Sequence, residues 1–398
     1  MSGSPLVVIG HPRPSAAGPL RDALGRLGVR RITVVDGHEL ADCLTAAAAD
    51  VPHLLLLHAG LPGFGPDLLV GLRAEPHLRD VPILVLGRFA GGHHRRELME
   101  AGASDLLARP LTLAELSARL SVHLERHRLG RSLQEVIRSL QTYHHGAMQR
   151  MALAREMQLG LLPDATMCGQ LEERYGVMLD SHFESSSELG GDLWGARPLD
   201  DRRFGLFLCD FTGHGVAAAL NTFRLHALLA RTDLPADDPA ETLAALNALL
   251  VGLLPEAQFA AMIYAVVDVA ADRLVYATAG APKPLIRHAD GRMEVGPSCG
   301  LPLGVANGAR YRNHCLDFPP GTTLLLFSDA LYEARGWDGE MFGYGGVTEL
   351  VRGLGDFAAG RPLNQLLDRY FTTMPRLLAD DLTLVWISRT GRPPSGPD

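Results

Sequence analysis

With 398 residues, the chain is longer than one compact domain usually is, so at least one internal boundary is expected. Hydrophobic residues make up 47% and charged residues 21%, which excludes a mainly disordered, collagenous or purely coiled-coil chain. The 37 basic against 45 acidic residues give a net charge of -8 with no basic stripe, which argues against general nucleic-acid binding. Five cysteines (Cys43, Cys168, Cys209, Cys299, Cys315) lie far apart with no CxxC pair and read as buried thiols of a reducing compartment. No leader-like segment opens the chain and no run of 18 apolar residues occurs, so a soluble, cytoplasmic protein away from membranes is expected.

The first segment alternates short apolar runs (Leu6–Ile9, Ile32–Val35, Leu54–Leu57, Val81–Leu86, Asp105–Ala108) with stretches that can be helical, such as Glu39–Ala49 and Arg95–Ala101. That alternation predicts an α/β unit with a doubly wound parallel sheet of the flavodoxin-like kind. Strands buried on both faces should be continuously apolar, as LLLL at 54–57 and ILVL at 83–86 are.

PHLLLLHAGLPG and AGASDLLARP in this segment resemble the PDLILLDxxMPG and GAxDYLxKP signatures of bacterial receiver domains, over about residues 5–122. The resemblance implies two acids after the first strand, an acceptor aspartate after the third, Thr or Ser after the fourth and lysine after the fifth. Those positions hold Gly10 and His11, His58, Gly87 and Arg109. A lone imidazole offers neither a magnesium cage nor an acyl-phosphate nucleophile, so residues 1–122 are expected to be a pseudo-receiver that cannot be phosphorylated conventionally. His58 stays open between phosphoacceptor, pH sensor and packed polar residue.

From Leu113 to Leu162 there is no proline. A 4-3-4-3 register runs through Leu129, Leu133, Val136, Leu140, Tyr143, Ala147, Arg150, Ala154, Met157 and Leu161, broken once at Arg150. This predicts a coiled-coil linker over 123–163 that makes the chain a parallel homodimer, against the plainer alternative of an amphipathic helix packed on its own chain. Gly130 and Gly146 each cost about 1 kcal/mol against alanine, and Pro163 and Asp164 are read as the end of the helix.

Further on, carboxylates stand beside small-residue turns in four places: Asp192 in ELGGDLWGA, Asp210 in FGLFLCDFTGHG, Asp329 in TTLLLFSDALYEAR, and Asp380 and Asp381 in ADDLTLVWI. Singly, each reads first as a turn or cap aspartate and proves little. Together, acids at one rim of a β-sandwich can converge on hard divalent cations. Apolar runs predict strands at Val177–Phe183, Arg203–Cys209, Phe259–Val267, Arg273–Ala279, Leu285–His288, Thr322–Phe327 and Leu382–Ser388. Helices are expected at His214–Arg231 and Pro239–Val251, with a helical insert between Val347 and Tyr370.

In order, GGDLWG, DFTGHG, SDALYEAR and ADDLT are similar to the GGDxxD, DVSGHG, TDGLxEAR and DDxT signatures of the SpoIIE/RsbU-type branch of the PPM metal-dependent serine/threonine phosphatases. AREMQLGLLP at the end of the linker is similar to that family's AREIQxxLLP. The resemblance implies a phosphatase domain over 164–390, an α/β PPM sandwich flanked by helices, and a disordered tail over 391–398. It also implies two Mn²⁺ or Mg²⁺ ions. Asp210 would bridge them, with the Phe211 backbone carbonyl and Asp192 at the first and Asp329 and Asp380 at the second; Asp381 is a metal-site residue more suited to orienting its neighbours. Water activated by the ions would attack phosphoserine or phosphothreonine in line, without a covalent phosphoenzyme. His214 is a candidate general acid, or only a shaper of the next helix. The substrate implied is a phosphorylated STAS-domain regulator of the anti-anti-sigma-factor type. Gly195, Ala330 and Ala281 depart from the family's acid, glycine and histidine. A non-catalytic adaptor that binds a sigma-factor regulator is the alternative function.

Overall fold

The computed structural model describes residues 4–46, 50–89, 91–213, 215–231, 233–255, 257–337, 339–354 and 361–391. The chain divides into two compact units, Met1–His145 and Gly146–Asp398. No described helix is long and apolar enough to cross a membrane.

In the first unit, strands β1 (Leu6–Gly10), β2 (Arg31–Val35), β3 (Leu54–His58), β4 (Ile83–Gly87) and β5 (Asp105–Ala108) form a parallel sheet in the order β2-β1-β3-β4-β5. The apolar runs become strands because helices cover both faces: Leu55, Leu57, Ile83 and Val85 enter one core, and Leu54, Leu56, Leu84 and Leu86 the other. Between strands run α1 (Gly18–Arg26), α2 (Leu40–Ala46), α3 (Pro66–Ala74) and α4 (Gly91–Glu100).

Helix α5 runs from Leu113 to Leu159. Leu116 and Leu120 at its start are buried, whereas Leu129, Leu133, Val136, Leu140 and Tyr143 are more than half exposed. The helix stops at Leu159, not at the proline. Asp164 instead opens α6 (Ala165–Tyr175), its Oδ1 accepting the Met167 N–H at 2.7 Å.

In the second unit two antiparallel sheets face each other. One has the order β13-β10-β9-β8-β7, from β7 (Asp192–Pro198), β8 (Arg203–Phe211), β9 (Ala260–Asp268), β10 (Arg273–Ala279) and β13 (His314–Asp317). The other has the order β12-β11-β14-β15-β6, from β6 (Val177–Glu184), β11 (Leu285–Arg287), β12 (Met293–Val295), β14 (Thr323–Phe327) and β15 (Leu382–Arg389). Strand alternation sorts the side chains. Phe204, Leu206, Leu208, Leu324, Leu326, Val385 and Ile387 fill the space between the sheets. Phe207, Cys209 and Phe211 turn outward to α7 (Val216–Leu229) and α8 (Pro239–Leu250). Leu325, Leu384 and Trp386 turn outward to α10 (Gly343–Arg352) and α11 (Pro362–Thr373), while α9 (Ala330–Glu333) is a single turn after β14.

Strands β7, β12 and β13 and helix α6 were not expected from the sequence. Of the cysteines, Cys209 is buried and Cys43 and Cys168 partly so, but Cys299 and Cys315 are exposed, correcting the expectation that all are buried thiols. All of the expected tail except Gly391 lies outside the described residues.

Candidate metal centre

The aspartates are brought together by strand register. Asp192, first in β7, lies directly opposite Asp210 near the end of β8. Alternation puts Asp192 on the face of Trp194 and Ala196, and Asp210 on that of Leu206 and Leu208, so both carboxylates look between the sheets at one rim. From the facing sheet, Thr383 of β15 donates its hydroxyl to Asp192 Oδ2. Ser328, just after β14, donates Oγ–H to the Asp381 carbonyl at 2.8 Å and accepts the Thr383 N–H at 2.9 Å. This pins the turn bearing Asp329 against the segment bearing Asp380 and Asp381.

Asp381 is 2% exposed and its oxygens are engaged: Oδ1 accepts from the Ser186 N–H at 2.7 Å and the Ser186 hydroxyl at 3.1 Å, and Oδ2 accepts from the Gly191 N–H. Glycine is required at 190 and 191 by close approach. A Cβ on Gly190 would fall 2.7 Å from Asp381 Oδ2, and one on Gly191 would fall 2.7 Å from the Phe211 carbonyl oxygen. The Phe211 carbonyl thus borders the same turn as Asp192.

Crowded carboxylates with little water share protons reluctantly given up. Burial, then the charge of Asp210, holds Asp192 well above the usual carboxylate range. Burial, then the charges of Asp329, Asp380 and Asp381, pushes Asp210 up to about 8. Burial, then Asp380 and Glu333, pushes Asp329 up to about 6. Asp192 Oδ1 is buried with no hydrogen-bond partner. An all-oxygen acidic cluster with an orphaned buried oxygen fits hard divalent cations. Among the described residues no three acidic, histidine or cysteine side chains already form a closed cage. Ion capture would therefore draw some of these carboxylates toward one another, the cation's charge offsetting their mutual repulsion. His214 lies outside the described residues.

A residue that sequence reasoning missed completes the site. Gln158, at the end of α5 and 3% exposed, donates Nε2–H to the Gly190 carbonyl at 2.7 Å and to Thr222 Oγ1 at 3.2 Å, and accepts the Gly190 N–H at 3.2 Å. The only signal in the sequence is the AREMQLGLLP phrase itself. Of the departures, Gly195 has a structural reason: a Cβ there would meet the Phe207 ring at 2.6 Å.

In the first unit, two of the positions that a receiver uses for phosphoryl transfer, Gly10 and Gly87, have no room for a side chain. A Cβ at Gly10 would strike Leu61 at 2.8 Å and one at Gly87 would strike Ala59 at 2.6 Å. The rings of His11 and His58 meet edge to face at 4.7 Å. His58 Nδ1 accepts the Gly60 N–H at 2.9 Å. Burial, then the neighbouring His11, holds the His58 imidazole below its usual range, and burial does the same for His11.

Residues 200–390 match the SpoIIE family, Stage II sporulation protein E. Among curated proteins, the phosphoserine phosphatase RsbP of Bacillus subtilis is 28% identical over 197 residues, 48% of this chain and 47% of RsbP. The KDP operon transcriptional regulatory protein KdpE of Escherichia coli is 37% identical over 109 residues, 27% of this chain and 46% of KdpE. The chain thus spans about half the length of the curated relatives it matches. Among solved structures, the SiaA-PP2C domain of Pseudomonas aeruginosa is similar in fold, with a TM-score of 0.54 at 22% identity over 62% of this chain and 98% of that one.

Proposed function

This chain is a fusion of a response-regulator-like unit with a SpoIIE-type PPM domain, and we propose from that premise that it is a metal-dependent protein serine/threonine phosphatase of bacterial signalling. The observation that carries the reading is the convergence of Asp192 and Asp210 from one sheet with Asp329 and Asp380 from the other at a single rim. Asp210, which feels the charges of Asp329 and Asp380 and acts on Asp192, would take the bridging position. Asp192 and the Phe211 carbonyl would hold one Mn²⁺ or Mg²⁺ ion, and Asp329 and Asp380 the second. Bound there, the ions supply charge neutralisation of a phosphoryl group and activation of water near neutral pH. Asp381, with both oxygens engaged by Ser186 and Gly191, orients the glycine turn instead of ligating. Gln158 braces the same turn from the other side. His214 is the proposed proton donor to the leaving alkoxide.

The domains we assign are a pseudo-receiver at 1–122, a linker at 123–163 and a phosphatase domain at 164–390. The exposed apolar seam of α5, Leu129, Leu133, Val136, Leu140 and Tyr143, supports parallel dimerisation through the linker. The substrate is a phosphorylated STAS-domain protein. The lack of room for a side chain at Gly10 and Gly87 supports control by a receiver that is not itself phosphorylated.

Manganese-dependent hydrolysis of p-nitrophenyl phosphate and of a phosphorylated STAS-domain protein tests the reading. We expect both to be lost in Asp210→Asn with tryptophan fluorescence unchanged. No turnover on either compound by the wild-type chain overturns the enzyme in favour of an adaptor.

A further inference from the structure

A cleft of about 570 Å³ in the first unit is unlike the rest of this acidic chain. Its lining includes four guanidinium groups, of Arg73, Arg79, Arg126 and Arg131, and Asp80 is the one acid among the described lining residues. Arg79 and Arg126 make no ion pair among the described residues. Arg73 is held in place by neutral acceptors, its Nε donating to the Gly102 carbonyl at 2.9 Å and its Nη1 to the Val81 carbonyl at 2.7 Å, so its guanidinium is fixed in the wall, with Asp80 as the acid that acts on it. Four guanidinium groups lining one cleft with a single carboxylate among them give it a net positive charge that favours an anion.

His127, on α5 between Arg126 and Arg131, hydrogen-bonds the Asp80 backbone and so ties the helix to the segment that carries Arg79. Gly130 also lines the cleft, and a Cβ built on it meets nothing within 4 Å, so the helix surface there is open space. The conformational cost of this glycine in mid-helix is explained if a side chain at 130 would occupy the cleft.

We propose that this cleft binds a small phosphate-bearing anion of nucleotide size, with Arg79, Arg126 and Arg131 presenting guanidinium forks to its phosphate oxygens. Forked donors match phosphate bidentately, and the volume lies within the range of small-molecule sites. The cleft is formed at the Pro82 and Ser104 ends of strands β4 and β5, away from Gly10, His58 and Gly87, which stand at the opposite strand ends. It is therefore a different site from the one that receivers use for phosphoryl transfer, and its existence does not depend on the phosphatase reading.

Titration calorimetry on the full chain in EDTA, carried out in the Asp210→Asn background to keep the acidic site out of the measurement, tests this with ATP and with inorganic pyrophosphate as probes. At least one probe is expected to bind with a Kd tighter than about 1 mM and with one site per chain. The double variant Arg126→Ala, Arg131→Ala should weaken that binding by about tenfold or more. Gly130→Leu removes no charge and favours the helix, and should weaken it as well by filling the cleft. ATP binding without pyrophosphate binding identifies a nucleotide, and equal binding of both identifies the phosphates alone as the recognised group; each supports the proposal. It is overturned if neither probe binds more tightly than about 1 mM, if both variants bind as the parent does, or if only an acidic peptide binds.

Discussion

Replacing Asp210, the carboxylate proposed to bridge the ions, should make the metal-free protein more stable while removing the proposed activity. Asp210 is pushed up to about 8 by burial and by Asp329, Asp380 and Asp381. Because the folded form holds this proton more tightly than the unfolded chain does, the associated stability is fully present at low pH and is lost as pH rises from about 4 toward 8. A displacement of about four pH units at about 1.4 kcal/mol each bounds the loss at about 6 kcal/mol. Water penetration and side-chain relaxation reduce it, and we expect Asp210→Asn to be more stable than wild type by about 1–3 kcal/mol at pH 8 in EDTA. The gain should shrink at pH 5, where the cluster is largely protonated. Urea unfolding followed by tryptophan fluorescence is the assay, since Trp194, Trp337 and Trp386 all lie in the second unit and two of them are fully buried. The midpoint should move by about half a molar or more. Added Mn²⁺ should then stabilise wild type, by about 2.7 kcal/mol at a hundredfold excess over its Kd, and leave the variant unchanged. Equal midpoints at pH 8, or a less stable variant, would refute the reasoning that these carboxylates are held together at a cost.

Other outcomes follow from single contacts. Gln158→Leu leaves the Gly190 carbonyl and N–H without their partner, and should raise the manganese concentration needed for half-maximal activity about tenfold or more while costing about 1–3 kcal/mol of stability. Gly195→Asp, which restores the family's acid, drives a Cβ into the Phe207 ring and should lower the stability of the second unit by about 1–3 kcal/mol without raising activity. Acetyl phosphate with Mg²⁺ should leave no acid-labile phosphate on residues 1–122; a stoichiometric label on His58 would contradict the packed His11–His58 pair. Val136→Glu with Leu140→Glu should convert a dimer into a monomer in sedimentation, and an unchanged mass would deny the α5 seam that role.

What the sequence reveals depends on whether the cause is local. The parallel strands are legible because burial on both faces writes itself as LLLL and ILVL, and β8, β14 and β15 because long apolar runs precede or follow an acid. Strand β7 is hidden, since its glycine at 195 and its arginine and proline at 197 and 198 spoil the apolar pattern, and its place is secured by pairing with β8. Strands β12 and β13 are short and lie at sheet edges, with little to bury. Asp164 reads as a stop after proline, but it is the cap of a new helix, a distinction made by the direction of one hydrogen bond. The acids of the site are all legible beside their turns. Gln158 is not, because its role is decided by a glycine turn 32 positions away in the chain.

Half the site's acids belong to one sheet and half to the other, and the strand that lies beside Asp380 and Asp381 is β15, seated between β14 and β6. A chain still emerging from the ribosome has made Asp192 and Asp210 long before β15 exists to be inserted. Until that insertion the two sheets cannot close and Thr383 cannot reach Asp192. On the proposed function, a lesion that expels β15 would therefore lower activity without touching a single acid.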